Sequence, residues 1–593
     1  PTLPRSTGGG REARPPAGGW SASSLAGKTL SPGAGDGAKL LTWCVANLDP
    51  TAGPTIVGLS ATGEGPILWR PGPGRYSYAA ISLSGRHNKA ASMRSNASGI
   101  GVSVAARADS HWTIASTYRN QSGPGQSRQP LAIGLGKNKK IDFVDLIWPD
   151  GLRQTELDLP PGKLTAIAEV QRQTSSCPVI FVWDGTRYAF VTDCLGAGGI
   201  GFATGPGEYA PQRPSENVLL PEGLPKPRDG KLIVKIGEPM EEACYLDACR
   251  LAYYDLPPGW AMTLDERMAI NDPQPTGAPR FYRKLILPVR AINDRNEDVT
   301  AALAKADGIA AEPGARDMRF IGFTKEHFVE MTFAAPINAP PPGAGASAAP
   351  MLVADGWIEY PYSQTMFAAW QAKAPYRAPT LEACGSDGKW VTVLKEFGYP
   401  AGMPRQMSAP IPRAKLPPGT TRLRLRTDQE IYWDRLAIAW AEPCPLSARH
   451  VIRFDSATLA DVGFPLRTTG PQRTPHYDYA HRLPLWDTRR QAGWYTNLGH
   501  VEELLRSTDN ACAVFGPGEE VELKFAAPPA APLTCWHRRF VLELTGWCKD
   551  RDIYTKDGQT VEPMPARDGA SPDALRHRDE LHAKYNRRYE AGG

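Results

Sequence analysis

Arg94-Ser-Asn-Ala-Ser-Gly-Ile-Gly-Val-Ser-Val-Ala105 runs from a polar, glycine-bearing turn into an alternating strand, and Asp142-Phe-Val-Asp-Leu-Ile-Trp-Pro-Asp-Gly151 runs from a strand into a Pro-Asp-Gly turn. Outward from this pair the same grammar repeats. Lys231-Leu-Ile-Val-Lys-Ile236, Tyr245–Tyr254, Lys284-Leu-Ile-Leu287 and His327–Phe333 alternate polar with apolar residues, as half-buried antiparallel strands do. Gly (58) and Pro (57) make up 115 of 593 residues, about 19% against a usual background of roughly 12%, which favours short strands and many turns over a helical bundle. With 41% hydrophobic residues, the chain can fill several cores. The expected fold class is mainly β: several consecutive antiparallel β-sandwich or jelly-roll-like domains, a propeller-blade-like N-terminal segment and a few short C-terminal helices.

The expected divisions follow composition. Residues 1–38 form a Gly/Pro/Ser/Ala-rich disordered or extended lead-in. Residues 39–78 hold three apolar runs separated by turns, as in one degenerate blade. Residues 79–172 form a β domain, 173–335 a sandwich, 336–350 a Pro/Ala/Gly linker, 351–442 a second sandwich and 443–593 an α+β region. In that last region Val501, Leu504 and Leu505 can share one helical face, and Ser571-Pro572-Asp573 has the form of a capped helix start.

The block 79–172 resembles the ASPIC/UnbV domain. The resemblance rests on the Ser95-Asn96 to Gly101 turn, Gln121-Ser-Gly-Pro-Gly-Gln-Ser127, Ile133-Gly-Leu-Gly136 and Trp148-Pro-Asp-Gly151, in that order. It implies kinship with secreted proteins such as cartilage acidic protein, in which FG-GAP propeller repeats usually lie upstream. Segment 39–78 is similar to one such blade. Calcium-binding FG-GAP loops are Asp-rich because a hard cation needs several oxygen ligands. Asn47-Leu-Asp-Pro-Thr-Ala-Gly53 has one carboxylate, so calcium is not carried over to this chain, and no other cofactor is expected. Segments of 351–442, in particular Thr421–Thr427 and Ile431–Ala439, resemble a galactose-binding-like sandwich.

Net charge is +5, too small a surplus over 593 residues to point to nucleic acid. No window has the apolar length of a membrane span, and the sequence, which begins at Pro1, reads as a processed product. Ten cysteines without a CxxC pair favour disulfides over zinc or haem. Cys177 and Cys194 bracket a hairpin turning at Asp184-Gly185 and make the best disulfide candidate, with Cys244 and Cys249 as a second pair. An oxidising, extracytoplasmic compartment is the matching expectation: periplasm, cell surface or secreted.

Candidate chemistry is sparse. His476, Asp478 and His481, with His500 further on, are weak metal candidates. Glu238, Glu241, Glu242, Asp247 and Asp255 contain pairs that can serve as acid and base of a glycosidase, Glu242 and Asp247 above all. Trp433, Asp434 and Arg435, with Trp357 and Tyr360, form either a sugar-binding aromatic face or sandwich core. Neither a phosphate loop nor a Gly-x-Ser-x-Gly elbow is present. Sequons stand at Asn96 and Asn120.

With no catalytic motif, the expected function is that of an exported, non-enzymatic binding or assembly protein making protein–protein or protein–glycan contacts. The alternatives are an exported carbohydrate-active enzyme and a structural subunit of a larger extracytoplasmic complex. Self-assembly is a variant, and neither nucleic acid nor a membrane span is among the expected partners.

Overall fold

The structure, a computed structural model, describes residues 21–24, 29–30, 40–49, 53–61, 65–70, 77–85, 95–118, 130–149, 153–169, 177–269, 271–345, 347–483 and 490–592. The motif at 121–127, the sequon Asn120, the end of the Trp148–Gly151 turn and most of the lead-in lie outside the described residues, as does part of the 47–53 loop. The chain forms two compact units, one of residues 1–172 with 484–486 and the other of residues 173–483 with 487–593.

In the first unit, a four-stranded antiparallel sheet has the order Arg153–Leu159, Ile141–Ile147, Ser103–Ala108, His111–Ser116. A three-stranded sheet has the order Leu164–Ala168, Ser77–Ser84, Leu131–Gly136, its first pair parallel. Strand alternation supplies the core: Val104, Ala106, Val144 and Leu146 from one sheet pack with Ile81, Leu83, Ile133 and Leu135 from the other. Each of the Val, Leu and Ile side chains contributes up to about 1.5–3 kcal/mol on burial.

Asn96 closes the turn that enters this core. Its side chain donates from Nδ2 to Ile100 O (2.7 Å) and accepts from Ile100 N at Oδ1 (2.8 Å). Gly99 sits there at φ +57°, where a Cβ would lie 2.6 Å from Leu83 O, so both conformation and space require glycine.

A further sheet in this unit has five strands, ordered Thr29–Leu30, Ser21–Ser24, Pro66–Arg70, Gly53–Ser60, Leu40–Asp49. Two short strands of this sheet, Ser21–Ser24 and Thr29–Leu30, belong to the segment expected to be disordered or extended. Ser21–Ser24 pairs with Pro66–Arg70, because an open sheet edge accepts any extended backbone whatever its apolar content.

The second unit contains two sandwiches, and their strands do not follow the linear division expected from composition. The first joins a sheet ordered Tyr188–Asp193, Val179–Trp183, Lys231–Glu238, Glu519–Ala526, Phe454–Asp461, Gly499–His500 to a sheet ordered Ser215–Leu219, His537–Asp550, Glu242–Leu256, His450–Ile452. It therefore draws on both 173–335 and 443–593. The second sandwich is inserted between those parts. Its sheets are Leu285–Ile286, Ile431–Ala441, Ala349–Ile358, Arg405–Pro410 and Arg290–Asn293, Phe323–Thr332, Arg422–Gln429, Thr380–Cys384, Trp390–Leu394. The Pro/Ala/Gly run 336–350 lies inside this sandwich, mostly as the loop joining Phe323–Thr332 to Ala349–Ile358 in the opposite sheet. Separate cores, one around Val234, Leu246 and Leu523 and one around Leu352, Leu425 and Leu436, fill the two sandwiches.

Among the described residues the α-helices are Ser363–Gln371, Glu502–Leu505 and Pro572–Tyr585. Ser571 caps the last by accepting from Ala574 N (3.2 Å), as its sequence signature leads one to expect. Val501, Leu504 and Leu505 are fully buried.

Candidate functional site

The spine of the first sandwich is the antiparallel pair Glu242–Leu256 and His537–Asp550, with a bulge at Asp247. Its end places Glu242 opposite Asp550 and Cys244 opposite Cys548. The hairpin Val179–Trp183/Tyr188–Asp193 turns at Asp184, whose Oδ1 accepts from Thr186 N and Arg187 N (2.8 Å each). Just before that hairpin, Cys177 reaches the same end of the spine. The segment after it is bound across Cys548 by Ile200 N donating to Cys548 O (2.8 Å). Gly196 leaves space for sulfur there, since a Cβ would lie 2.8 Å from Cys177 Sγ.

These segments, with residues of the inserted sandwich and its approach, line a cavity of about 150 Å³ bordered by Cys177, Glu242, Cys548, Asp550, Tyr360, Tyr376 and Tyr399. A void of that size holds a molecule of roughly one six-membered ring. The Cys548 thiol donates towards Cys177 Sγ (4.0 Å) and Leu195 O (3.6 Å). Among the described residues, Cys177, Glu242 and Cys548 form the group whose potential ligand atoms, all buried, lie within 4.8 Å of one another.

Burial dominates the electrostatics. It holds the Glu242 carboxyl well above the usual range, the Asp550 carboxylate adding to the effect and the Cys548 hydrogen bond opposing it. Glu238 is raised by burial and then by Glu242. The Cys548 hydrogen bond favours the Cys177 thiolate, yet burial and nearby carboxylates outweigh it and push the thiol up to about 12. Cys548, as donor to Cys177 and through burial, is also raised. Burial pushes Asp193 up to about 6 against the pull of Arg405.

The expected disulfides are corrected. None of the ten cysteines is joined to another. Cys194 N donates to Pro178 O (2.8 Å), which sets Cys194 opposite the neighbour of Cys177, so the alternation of a strand turns the two thiols to different faces. Cys194 enters the sandwich core while Cys177 enters the cavity. Cys244 and Cys249 share one strand five positions apart, about 16 Å along it, beyond the reach of a disulfide.

Trp433 (2% exposed) and Trp357 (1%) are core residues. Trp357 stacks on Tyr432 with centroids 5.6 Å apart, and its Nε1 donates to Gln472 O (2.8 Å). Asp434 accepts from Asp307 N and Gly308 N, and Arg435 pairs with Asp355 (2.8 Å). Their rings and charges are thus spent on internal contacts, and of this set Tyr360 lines the cavity.

His481 Nδ1 lies 2.7 Å from Asp478 Oδ2, both exposed, and His500 pairs instead with Glu502 (3.0 Å). His476 is an exposed residue of the same strand as His481. Asp247 accepts from Asp509 N and Asn510 N, away from the cavity, and Asp255 binds Arg538 bidentately (2.7 and 2.8 Å). The cysteine pair escaped sequence reasoning because its members are 371 positions apart.

A second feature lies on the first unit. The face of the four-stranded sheet turned away from its core carries Trp112 (55% exposed), Ile114 (76%), Ile147 (46%) and Leu157 (42%). His111–Ser116 is the edge strand.

Fold and sites together define a mainly β protein of several antiparallel sheets with a cavity in one unit and exposed apolar side chains on a sheet face of the other. Residues 92–174 match the ASPIC and UnbV family, so the chain carries a domain of that kind over those residues. Curated proteins give no match. Among solved structures, two of the arabinofuranosyltransferase AftD from Mycobacteria, one a mutant, show 10% and 11% identity over 85% and 89% of this chain, with a TM-score of 0.13 each. The chain spans 34% and 35% of the length of those proteins. A structure of infectious bursal disease virus, Gt strain, shows 8% identity over 69% of this chain and 85% of that one, with a TM-score of 0.08. None of these scores indicates a shared fold. Among the described residues no helix is long and apolar enough to cross a membrane.

Proposed function

We propose that the chain is an extracytoplasmic, non-enzymatic binding and assembly protein that makes protein–protein or protein–glycan contacts through its ASPIC/UnbV domain. The observation that carries this is the set of exposed apolar side chains on the outer face of the four-stranded sheet. Trp112, Ile114, Ile147 and Leu157 occupy one side of three of its strands, on a face they share with Arg107 and the Asp145–Arg153 ion pair, and exposed large apolar side chains set among polar ones mark interaction sites. Trp112 is braced against Phe143, centroids 6.1 Å apart, so its ring is presented rather than loose. The test compares wild type with Trp112→Ala/Ile114→Asp by native mass measurement and on a glycan array, with calcium and with chelator. Wild type should self-associate or bind selected glycans and the variant should do neither. Identical behaviour of the two proteins in both assays would overturn the assignment.

A specific observation favours the carbohydrate-active reading as second. Glu242 and Asp550 face each other on paired strands, with Cβ atoms about 5 Å apart, and both line the cavity. A buried, protonated carboxyl beside a second carboxylate is the pairing a retaining glycosidase uses. Turnover of a glycoside by wild type, abolished in folded Glu242→Gln, would move the assignment to that class.

A further inference from the structure

Cys177, Glu242 and Cys548 come from three separate segments, and the two sulfurs lie 4.0 Å apart. That is close to the roughly 3.8 Å that two thiolates adopt on one tetrahedral zinc ion with bonds of about 2.3 Å, and about twice a disulfide bond. A second feature points to a missing partner. Glu242 is 3% exposed and lines the cavity, yet its Oε2 has no hydrogen-bond partner. An acceptor left without a donor in such a place is costly unless something absent from the protein satisfies it.

We propose that Cys177, Glu242 and Cys548 bind a thiophilic divalent cation of the zinc class, with its fourth position open to the cavity. This goes beyond the proposed binding and assembly role, which rests on the other unit. Two sulfur donors select against calcium and magnesium, and a carboxylate oxygen completes a three-ligand set that leaves one position for water or a ligand donor. Binding releases the two thiol protons, and that of Glu242 where it is held, to solvent, so three ligand charges meet the two of the ion. Two of the ligands stand on the long paired strands, which hold them in register without the ion. The cavity's volume of about 150 Å³, lined in part by Tyr360, Tyr376 and Tyr399, suits a small molecule at the open position.

The experiment is metal titration of the reduced full-length chain with zinc, read by bound metal after dialysis, and with cobalt(II), read by thiolate-to-cobalt charge-transfer absorption. One equivalent should bind, with the cobalt spectrum of a two-thiolate tetrahedral site. Cys177→Ser, Cys548→Ser and Glu242→Gln should each weaken binding at least about ten-fold, whereas Cys249→Ser should leave it unchanged. The wild-type cobalt spectrum keeps the proposal testable if a variant fails to fold. Absence of thiolate-to-cobalt absorption, binding that survives loss of both thiols, or a Cys177–Cys548 disulfide in the protein isolated without reductant would overturn it.

Discussion

His582, in the last turn of Pro572–Tyr585, should make the docking of that helix acid-labile. The ring is 9% exposed and its Nε2 accepts a hydrogen bond from Cys512 N (3.0 Å). Only the neutral ring can accept there. Burial, followed by the Arg578 guanidinium and partly offset by Asp579, lowers its pKa from 6.5 to about 4. The unfolded chain therefore takes up the proton first as pH falls. Stability from the neutral ring is fully present above pH 6.5 and is lost as the pH drops through about 4, by about 3 kcal/mol in all.

Because a chain of several cores does not unfold as one unit, the readout is local. Amide hydrogen exchange is followed in peptides covering 511–516 and 572–585 at pH 7.5 and 4.5, corrected for the intrinsic pH dependence of exchange. Wild type should lose about 2–3 kcal/mol of protection in these peptides, and His582→Gln, which retains an acceptor but does not titrate, should lose much less. The difference between the proteins isolates His582 from Asp193 and Asp247, whose raised pKa values, about 6 and about 7, act in the opposite direction. An equal response in both proteins, or a His582 resonance titrating near 6.5, would refute the reasoning.

Gly99→Ala should destabilise the first unit by more than about 1–2 kcal/mol, since φ is +57° and the new Cβ would press on Leu83 O, and limited proteolysis of residues 77–169 reports it. Arg405→Met removes the partner of Glu216 (2.5 Å, side chains 9% and 1% exposed) and should cost about 3–5 kcal/mol by leaving a buried charge, measured by chemical unfolding. Trp433→Ala should act as a core deletion of about 3–5 kcal/mol in the second sandwich, visible as a lowered Tm. Glycan binding by the intact fraction should be the same as in wild type.

Local features were legible from the residues alone wherever the physics is local. The Asp184-Gly185 turn, the Ser571 cap and the alternating strand entered from the turn at Asn96 each depend on a few consecutive residues, and the structure shows all three. The cores of the ASPIC/UnbV domain follow from the same alternation. What composition mistook was order along the chain. Lys231–Glu238 and Glu519–Ala526 are neighbours in one sheet, but nothing in either strand names its partner, because backbone ladders are the same for every sequence.

The cavity was beyond sequence reasoning for the same reason. Glu242 was a candidate in a run of carboxylates, and its partner was sought in Asp247, five positions on. The bulge at Asp247 and the register with His537–Asp550 put Asp550 opposite it instead. Trp433 and Trp357 matched a sugar-binding face in residue type, and burial made them core. The sequence by itself determined strands, turns, caps and the ASPIC/UnbV domain, since these depend on neighbours in the chain. Tertiary structure alone decided which strands share a sheet and which side chains meet around the cavity, since those contacts join residues that are hundreds of positions apart.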